Sequence, residues 1–430
     1  MSLREKYALE HRTIAPGVEL HLHSSEKRKT NQLKIAWLGA LSESDVTARA
    51  LLPSVLLRGS ESAPDMNAVA RRLEELYGAA FSGDVSKVGE RHLIVFRASF
   101  PNDHYLPAGE SILEPMLEFV QEGIERPHLV DGVFPHDVME QEKLNHRRAI
   151  ESLINDKRAY ARERCLQEMC RNEIVRLYEY GRVEDLDAIT GESLTELWRQ
   201  NLADSPVHIY FSGHYEGDGI ADSLARFGAN RTGEPRELPP IEGGREAGPL
   251  REVEEELDVV QAKLTLGFRS PIRYGHPRSA AVSVANGILG GFVHSKLFVN
   301  VREGASLCYT VGSSVDRAHG LMMISSRIEA EKRDEAQALI LKQVEAMQAG
   351  EITDDELDAT HRAYENRLRM LEDNPAGLIN LDLTWRLNGQ EYDHEEYLRS
   401  LLAVTKDDVV EASREWALDT IYFLRPRREK

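Results

Sequence analysis

The chain has 430 residues, too many for one ordinary core, and its 41% hydrophobic and 29% charged residues are typical of a globular protein with two or more domains. Its formal net charge of −19 argues against nucleic acid or an anionic membrane as the main partner. The charged N-terminal residues contain no secretion signal, and no apolar run is long enough to span a bilayer. Cys165, Cys170 and Cys308 lack metal-binding spacing and fit a reducing compartment, so we expect a cytoplasmic protein.

Two histidines mark the first predicted strand. Residues 18–23 alternate like a strand, and residues 32–38 are predicted to form the neighbouring strand. His21 and His23 would share one strand face, where two imidazoles could bind a metal ion. Because no third ligand is near, we favour an exposed strand edge over a metal site.

A helix is predicted over residues 45–57, followed by two strands. Pro53 lies inside this helix, where it removes a backbone hydrogen bond and costs about 3 kcal/mol unless the helix is kinked. Farther along, residues 80–85 and 92–100 have the alternation of strands joined by a turn at Gly89.

A long helix is predicted to begin at Pro135, because proline suits a first helical turn. It carries Glu142 and His146 on one face, four residues apart, and such a pair could bind a metal ion. Since the segment also holds many charged residues, we favour a solvated Glu–His pair.

The second part of the chain repeats the pattern of the first. The strand–turn–strand–helix order of residues 80–120 recurs over 308–347, with Gly320 placed like Gly89. A closing helix and strand begin at Thr190, which we expect to cap the helix, and recur from Thr405. The offset of roughly 210 to 230 residues indicates a tandem duplication.

A segment rich in proline and glycine separates the two copies and predicts a linker. The predicted organisation is an N-terminal domain over residues 1–230, a linker over 231–252 and a C-terminal domain over 253–430. Each half alternates strand pairs with helices, without a βαβ rhythm. This order predicts an α+β fold with a mostly antiparallel sheet covered by helices on one face. Two such domains would form a clam with a ligand-binding groove.

The densest motif runs from Asn286 to Tyr309, and three glycines lie near its start. Helical spacing of apolar residues follows, at Val293, Leu297, Phe298 and Val301. Arg302 and Tyr309 then flank a turn, so both could direct donors at one carbonyl or oxyanion. On these residues alone, a helix end beside a packed tyrosine is the simpler interpretation.

The duplicated halves, the linker and the motif L-G-G-F-x-x-S-K-L-F-x-x-V-R-E-x-x-S-L-C-Y resemble the pitrilysin/insulinase superfamily of zinc peptidases. The stretches K-T-N-Q-L, R-A-L-L-P-S-V-L-x-R-G-S and N-D-K-R-x-Y-A narrow the resemblance to its YmfF-like branch. The resemblance covers essentially the whole chain. It implies a fold like that of LuxS and the mitochondrial processing peptidase.

The zinc machinery of active relatives is missing from this sequence. Active members carry H-x-x-E-H before a G-[ST] stop, with two histidines binding zinc and the glutamate activating water. The resemblance places these three positions on Ala50, Pro53 and Ser54, none of which suits its role. The third ligand, normally a glutamate, should fall near Arg147 or Arg148, where a cation would repel zinc.

The resemblance matches Arg302 and Tyr309 to the arginine and tyrosine that active members direct at the substrate and the tetrahedral intermediate. In some bacterial relatives this pair and the zinc lie on separate subunits. We therefore predict a non-catalytic subunit without zinc or another cofactor of its own. Its predicted partners are a zinc-bearing paralogous subunit and a peptide or protein substrate, and the isolated chain could form a homodimer.

Two other hypotheses remain at this point. One is a scaffold or peptide-binding protein without a catalytic partner, and the other is a zinc metallopeptidase with displaced ligands. The YmfF-like branch is also associated with 5-aminopentanol modification of elongation factor P, a pathway that these residues do not themselves indicate.

Overall fold

The computed structural model describes residues 7–25, 27–215, 217–229 and 231–427. They form two compact units, and each unit includes a segment from the other half of the sequence. Unit 1 contains the described residues of 1–151, 177–240 and 374–383, and unit 2 contains those of 152–176, 241–373 and 384–430. In the described ranges, no helix is both long enough and apolar enough to cross a membrane.

The two units contain eleven described strands and fourteen described α-helices. The strands are β1 (Glu10–Ala15), β2 (Val18–Ser24), β3 (Thr30–Ala40), β4 (Ala80–Val88), β5 (Arg91–Pro101), β6 (Val207–Gly213), β7 (Arg251–Leu257), β8 (Ala262–Arg269), β9 (Cys308–Asp316), β10 (Leu321–Ile328) and β11 (Ala417–Pro426). The helices are α1 (Val46–Leu56), α2 (Met66–Glu75), α3 (Leu113–Glu125), α4 (His136–Ser152), α5 (Lys157–Met169), α6 (Gly191–Asp204), α7 (Gly219–Leu224), α8 (Arg226–Ala229), α9 (Ser279–Asn286), α10 (Arg333–Ala349), α11 (Asp354–Arg369), α12 (Pro375–Leu387), α13 (His394–Leu402) and α14 (Lys406–Arg414).

Unit 1 is built on a six-stranded sheet in the order β1-β2-β6-β3-β5-β4. The pair β2–β6 is parallel, whereas the other neighbours are antiparallel. The prediction that residues 32–38 neighbour residues 18–23 was wrong, because β6 lies between β2 and β3. The predicted hairpin around Gly89 is confirmed, since β4 and β5 pair antiparallel and Gly89 has a φ of +59°.

Helix α1 packs on the sheet of unit 1 through its apolar side chains. Leu51, Leu52 and Val55 lie in the same buried cluster as Phe96 of β5. Fully burying such a side chain contributes about 1.5–3 kcal/mol, which outweighs one lost helical hydrogen bond when several do so together. The helix continues through Pro53, whose ring lies against β4 at a glycine.

Unit 2 is built on a five-stranded sheet in the order β7-β11-β8-β10-β9. Only the β7–β11 pair is parallel among its described neighbours. Both sheets are therefore mostly antiparallel, and the predicted α+β class is confirmed.

Helix α5 comes from the first half of the sequence but packs in unit 2. Its Ala161 and Cys165 contact Tyr422 and Leu424 of β11. Because residues alternate across a strand, Ile421 and Phe423 face the other side of this sheet. Helices thus lie on both faces of the sheet in unit 2. The sequence predicted helices on one face only, and α5 covers the other face.

The repeat of the closing element is confirmed at its helix starts. Thr190 caps α6 and Thr405 caps α14, and in both a capping box joins the threonine to the third helical residue. Gly320, at φ +69°, makes the turn between β9 and β10 as Gly89 does between β4 and β5. The same local chemistry therefore recurs at matching places in the two copies.

Candidate functional site

The three positions that the sequence assigns to a vacated zinc motif lie on α1. Ala50 is buried in the core of unit 1, Pro53 is buried within the helix, and Ser54 is half-buried. A methyl group and a proline ring offer no donor atom to a metal, and an aliphatic hydroxyl is a poor zinc ligand at neutral pH. These side chains do not fit a zinc ion.

The two arginines near the expected position of the third zinc ligand lie on α4. Arg147 donates to Asp187 at 3.2 Å, whereas Arg148 is exposed. In the part of the chain that the structure describes, no group of three or more His, Cys, Asp or Glu side chains is arranged to hold a metal ion.

Glu142 and His146 on α4 are both buried, so the interpretation of a solvated pair was wrong. Arg58 donates to Glu142 through Nε at 2.5 Å and also through Nη2. His146 Nε2 donates to the carbonyl of Tyr180 at 2.8 Å, and burial lowers the pKa of this histidine. The two side chains are therefore committed to separate hydrogen bonds within unit 1.

The predicted exposed strand edge at His21 and His23 was also wrong. Both are buried, because β2 lies between β1 and β6 instead of at an edge. His21 Nε2 lies 2.9 Å from His208 Nδ1, and its ring stacks on that of Tyr210 at 4.2 Å. Tyr210 in turn donates to Asp382 at 2.6 Å.

Sequence reasoning missed this cluster of aromatic rings and Asp382. One local feature could have indicated the cluster: His208 and Tyr210 are two residues apart on β6 and so lie on one face of that strand. Nothing local indicated that β6 would pair with β2, or that residues 374–383 would belong to unit 1.

Arg302 lies in a π-helical segment, Leu297–Gly304, in unit 2. Leu297 and Val301 anchor this segment in the core, as their spacing predicted, but Val293 is 73% exposed and was wrongly included in that face. Segments of this kind are rare and are often found at functional sites. The Arg302 side chain is exposed, and its Cζ lies 4.4 Å from the centre of the Phe298 ring.

Tyr309 is the second residue of β9, the last strand of the sheet in unit 2. It is 47% exposed, and the guanidinium of Arg327 lies 5.4 Å from the centre of its ring. The turn before it includes Ser306 at φ +52°, a conformation that is uncommon outside glycine. The sequence prediction for Arg302 and Tyr309 stays a prediction, with both side chains accessible from solvent.

Cys308, the residue before Tyr309, is affected by the positive charge of Arg302. Burial raises the pKa of Cys308 to about 11, and the positive charge of Arg302 partly opposes the shift. This thiol is therefore protonated at neutral pH and is a poor nucleophile. The chemical groups that this stretch offers to a ligand are the guanidinium and the phenol.

Comparison of the sequence with known proteins identifies a peptidase family. Residues 188–364 match the family described as Peptidase M16 inactive domain. A relative from Bacillus subtilis (strain 168), described as a probable inactive metalloprotease YmfF, is 35% identical over 411 residues, covering 95% of this chain and 96% of its own.

Two solved structures share the fold of this chain over nearly its full length. A conserved protein from Enterococcus faecalis V583 superposes with a TM-score of 0.89 at 29% identity, covering 98% of this chain and 99% of the other. A peptidase M16 inactive domain from Pseudomonas fluorescens shares the fold, with a TM-score of 0.79 at 19% identity, covering 98% and 99% of the two chains. The chain therefore belongs to the M16, or pitrilysin, peptidase family and to its inactive YmfF-like branch.

Proposed function

We propose that this chain is the zinc-less subunit of a heteromeric M16 peptidase in the cytoplasm. Its partner, a zinc-bearing paralogue, supplies the metal and the catalytic base. This chain supplies Arg302 and Tyr309, which bind the peptide backbone and stabilise the oxyanion of the tetrahedral intermediate. It holds no cofactor of its own.

The observation that supports this proposal is a contrast between the positions where active family members bind zinc and the positions where they bind the substrate. The zinc positions hold side chains without suitable donors, and Ala50 is built into the core. Arg302 and Tyr309, in contrast, are exposed polar groups that a folded core does not need. Among the described residues, Arg302 forms no ion pair, and its guanidinium lies over the Phe298 ring. Its donors remain available to a substrate.

The test is a peptidase assay on the purified chain with and without its zinc-bearing paralogue. We expect the chain alone to bind no stoichiometric zinc by elemental analysis and to cleave nothing. In the complex, Arg302→Ala should lower kcat/KM about a hundredfold or more, the scale for losing one oxyanion donor. Tyr309→Phe removes only the hydroxyl and keeps the ring under Arg327, so a comparable loss would assign the effect to that donor.

Arg367→Ala is a matched control, since Arg367 is an exposed arginine of unit 2 for which no ion pair is found in the described ranges. This variant should keep full activity. Full activity of the Arg302→Ala complex would refute the role of that residue. Stoichiometric zinc in the isolated chain would refute the zinc-less assignment. Copurification that never recovers a zinc-bearing partner, together with peptide binding, would favour a scaffold.

A further inference from the structure

A cavity of about 570 Å³ lies in unit 2, between the start of α5 and one face of the sheet. Lys157 and Arg158 line it from the helix, Lys263 from β8 and Arg327 from β10. Thr310 of β9 and Ser325 of β10 add hydroxyl groups to its wall. We call this feature the cationic cavity.

The four cations of the cationic cavity are not neutralised by ion pairs with acidic residues in the part of the chain that the structure describes. No carboxylate in the described ranges forms an ion pair with Lys157, Arg158, Lys263 or Arg327. Lys263 Nζ donates instead to the backbone carbonyl of Gln261 at 2.7 Å. Burial lowers the pKa of Lys263, the charges of Arg327 and Lys157 lower it further, and the carboxylate of Asp156 partly opposes the shift.

One acidic residue, Asp156, is among the residues that line the cavity, but its carboxylate already has a role. Its Oδ1 accepts from the backbone nitrogens of Arg158 and Ala159, each at 3.0 Å, and so caps α5. This capping role restrains the carboxylate at the helix N-terminus. The cavity as a whole therefore carries an excess of positive charge.

This arrangement is unusual for a chain with 72 acidic and 53 basic residues. Elsewhere in unit 2 arginines are matched with acids, as where Arg333 of α10 meets Glu252 and Glu254 of β7, each at 3.0 Å. Grouping like charges and partly desolvating them without counter-ions costs free energy. An external anion that enters the cavity would remove this cost.

The distribution of the charges favours an acidic peptide over a single small anion. The cations come from a helix and from two strands, and they surround a volume large enough for several side chains. Arg327 also lies over the ring of Tyr309, so the cavity adjoins a residue that we assign to substrate binding. We propose that the cationic cavity binds the carboxylate side chains of an acidic peptide substrate. This inference rests on the proposed function in taking the peptide as substrate.

The experiment measures peptide binding to the full-length chain without its partner. Fluorescence anisotropy compares a labelled glutamate-rich peptide with the same peptide carrying glutamine at those positions. We expect the glutamate peptide to bind about tenfold more tightly at low salt, with the difference shrinking at high salt as screening increases. The double variant Lys263→Gln/Arg327→Gln should lose most of this preference, while its melting temperature reports that it is folded.

Lys342→Gln is the control, because Lys342 is an exposed lysine of α10 outside the cavity, and it should bind like the wild type. Equal binding of the two peptides, or wild-type binding by the double variant, would overturn the inference. Displacement of the peptide by inorganic phosphate at similar concentrations would overturn the choice of peptide as ligand. None of these results depends on Arg302, whose substitution tests the proposed function in the complex, so the two can fail separately.

Discussion

Replacing Arg269 by methionine tests what holds residues 152–176 in unit 2. The buried guanidinium of Arg269 donates to Asp419 at 2.9 Å, to Glu173 at 2.6 Å and to the carbonyl of Met169 at 2.7 Å. Methionine keeps the apolar volume but leaves the buried Asp419 without a cation and Glu173 with only the exposed side chain of Arg245, 3.8 Å away. We expect the opening free energy of unit 2 to fall by about 3–5 kcal/mol, the usual cost of removing one partner from a buried ion pair.

Hydrogen exchange at the amides of α5 and β8 measures this free energy within unit 2. Arg333→Met is the matched control, because it also removes an arginine that bridges two acids, but Glu252 and Glu254 are exposed. Its cost should stay below about 1 kcal/mol. Equal losses in the two variants would refute the argument from burial.

Two further predictions concern His92 and Gly290. Burial, with a smaller effect of Arg49, lowers the pKa of fully buried His92 to about 3, so between about pH 6 and pH 4 the unfolded state binds a proton that the folded state excludes. As the pH falls through that window, His92 should lower the free energy of unfolding by about 1.4 kcal/mol per pH unit. Urea titrations should show that the His92→Gln variant lacks this contribution, and an equal pH dependence in variant and wild type would contradict the prediction. At Gly290, an added Cβ would lie 2.6 Å from the backbone nitrogen of Ser313, so Gly290→Ala should displace β9 and cost about 1–3 kcal/mol by thermal unfolding. Gly248→Ala, with open space around the new methyl group, should be neutral, and an equally stable Gly290→Ala variant would refute the packing argument.

The sequence by itself determined the features that depend on neighbouring residues. The hairpin turn at Gly89 and the helix caps at Thr190 and Thr405 follow from local backbone chemistry, and the structure contains all three. The chemistry at Ala50 and Pro53 also follows from residue type alone, because no fold can give these side chains a metal-binding atom.

Only the tertiary structure decided which distant segments meet. It placed β6 beside β2 and so buried His21, and it paired Arg58 with Glu142 across 84 positions of sequence. It also brought Lys157 and Lys263 to one cavity from elements about a hundred residues apart. Periodicity records which face of an element is apolar, but strand order and the docking of α5 depend on the packing of whole elements. Burial and the grouping of charges are consequences of that packing.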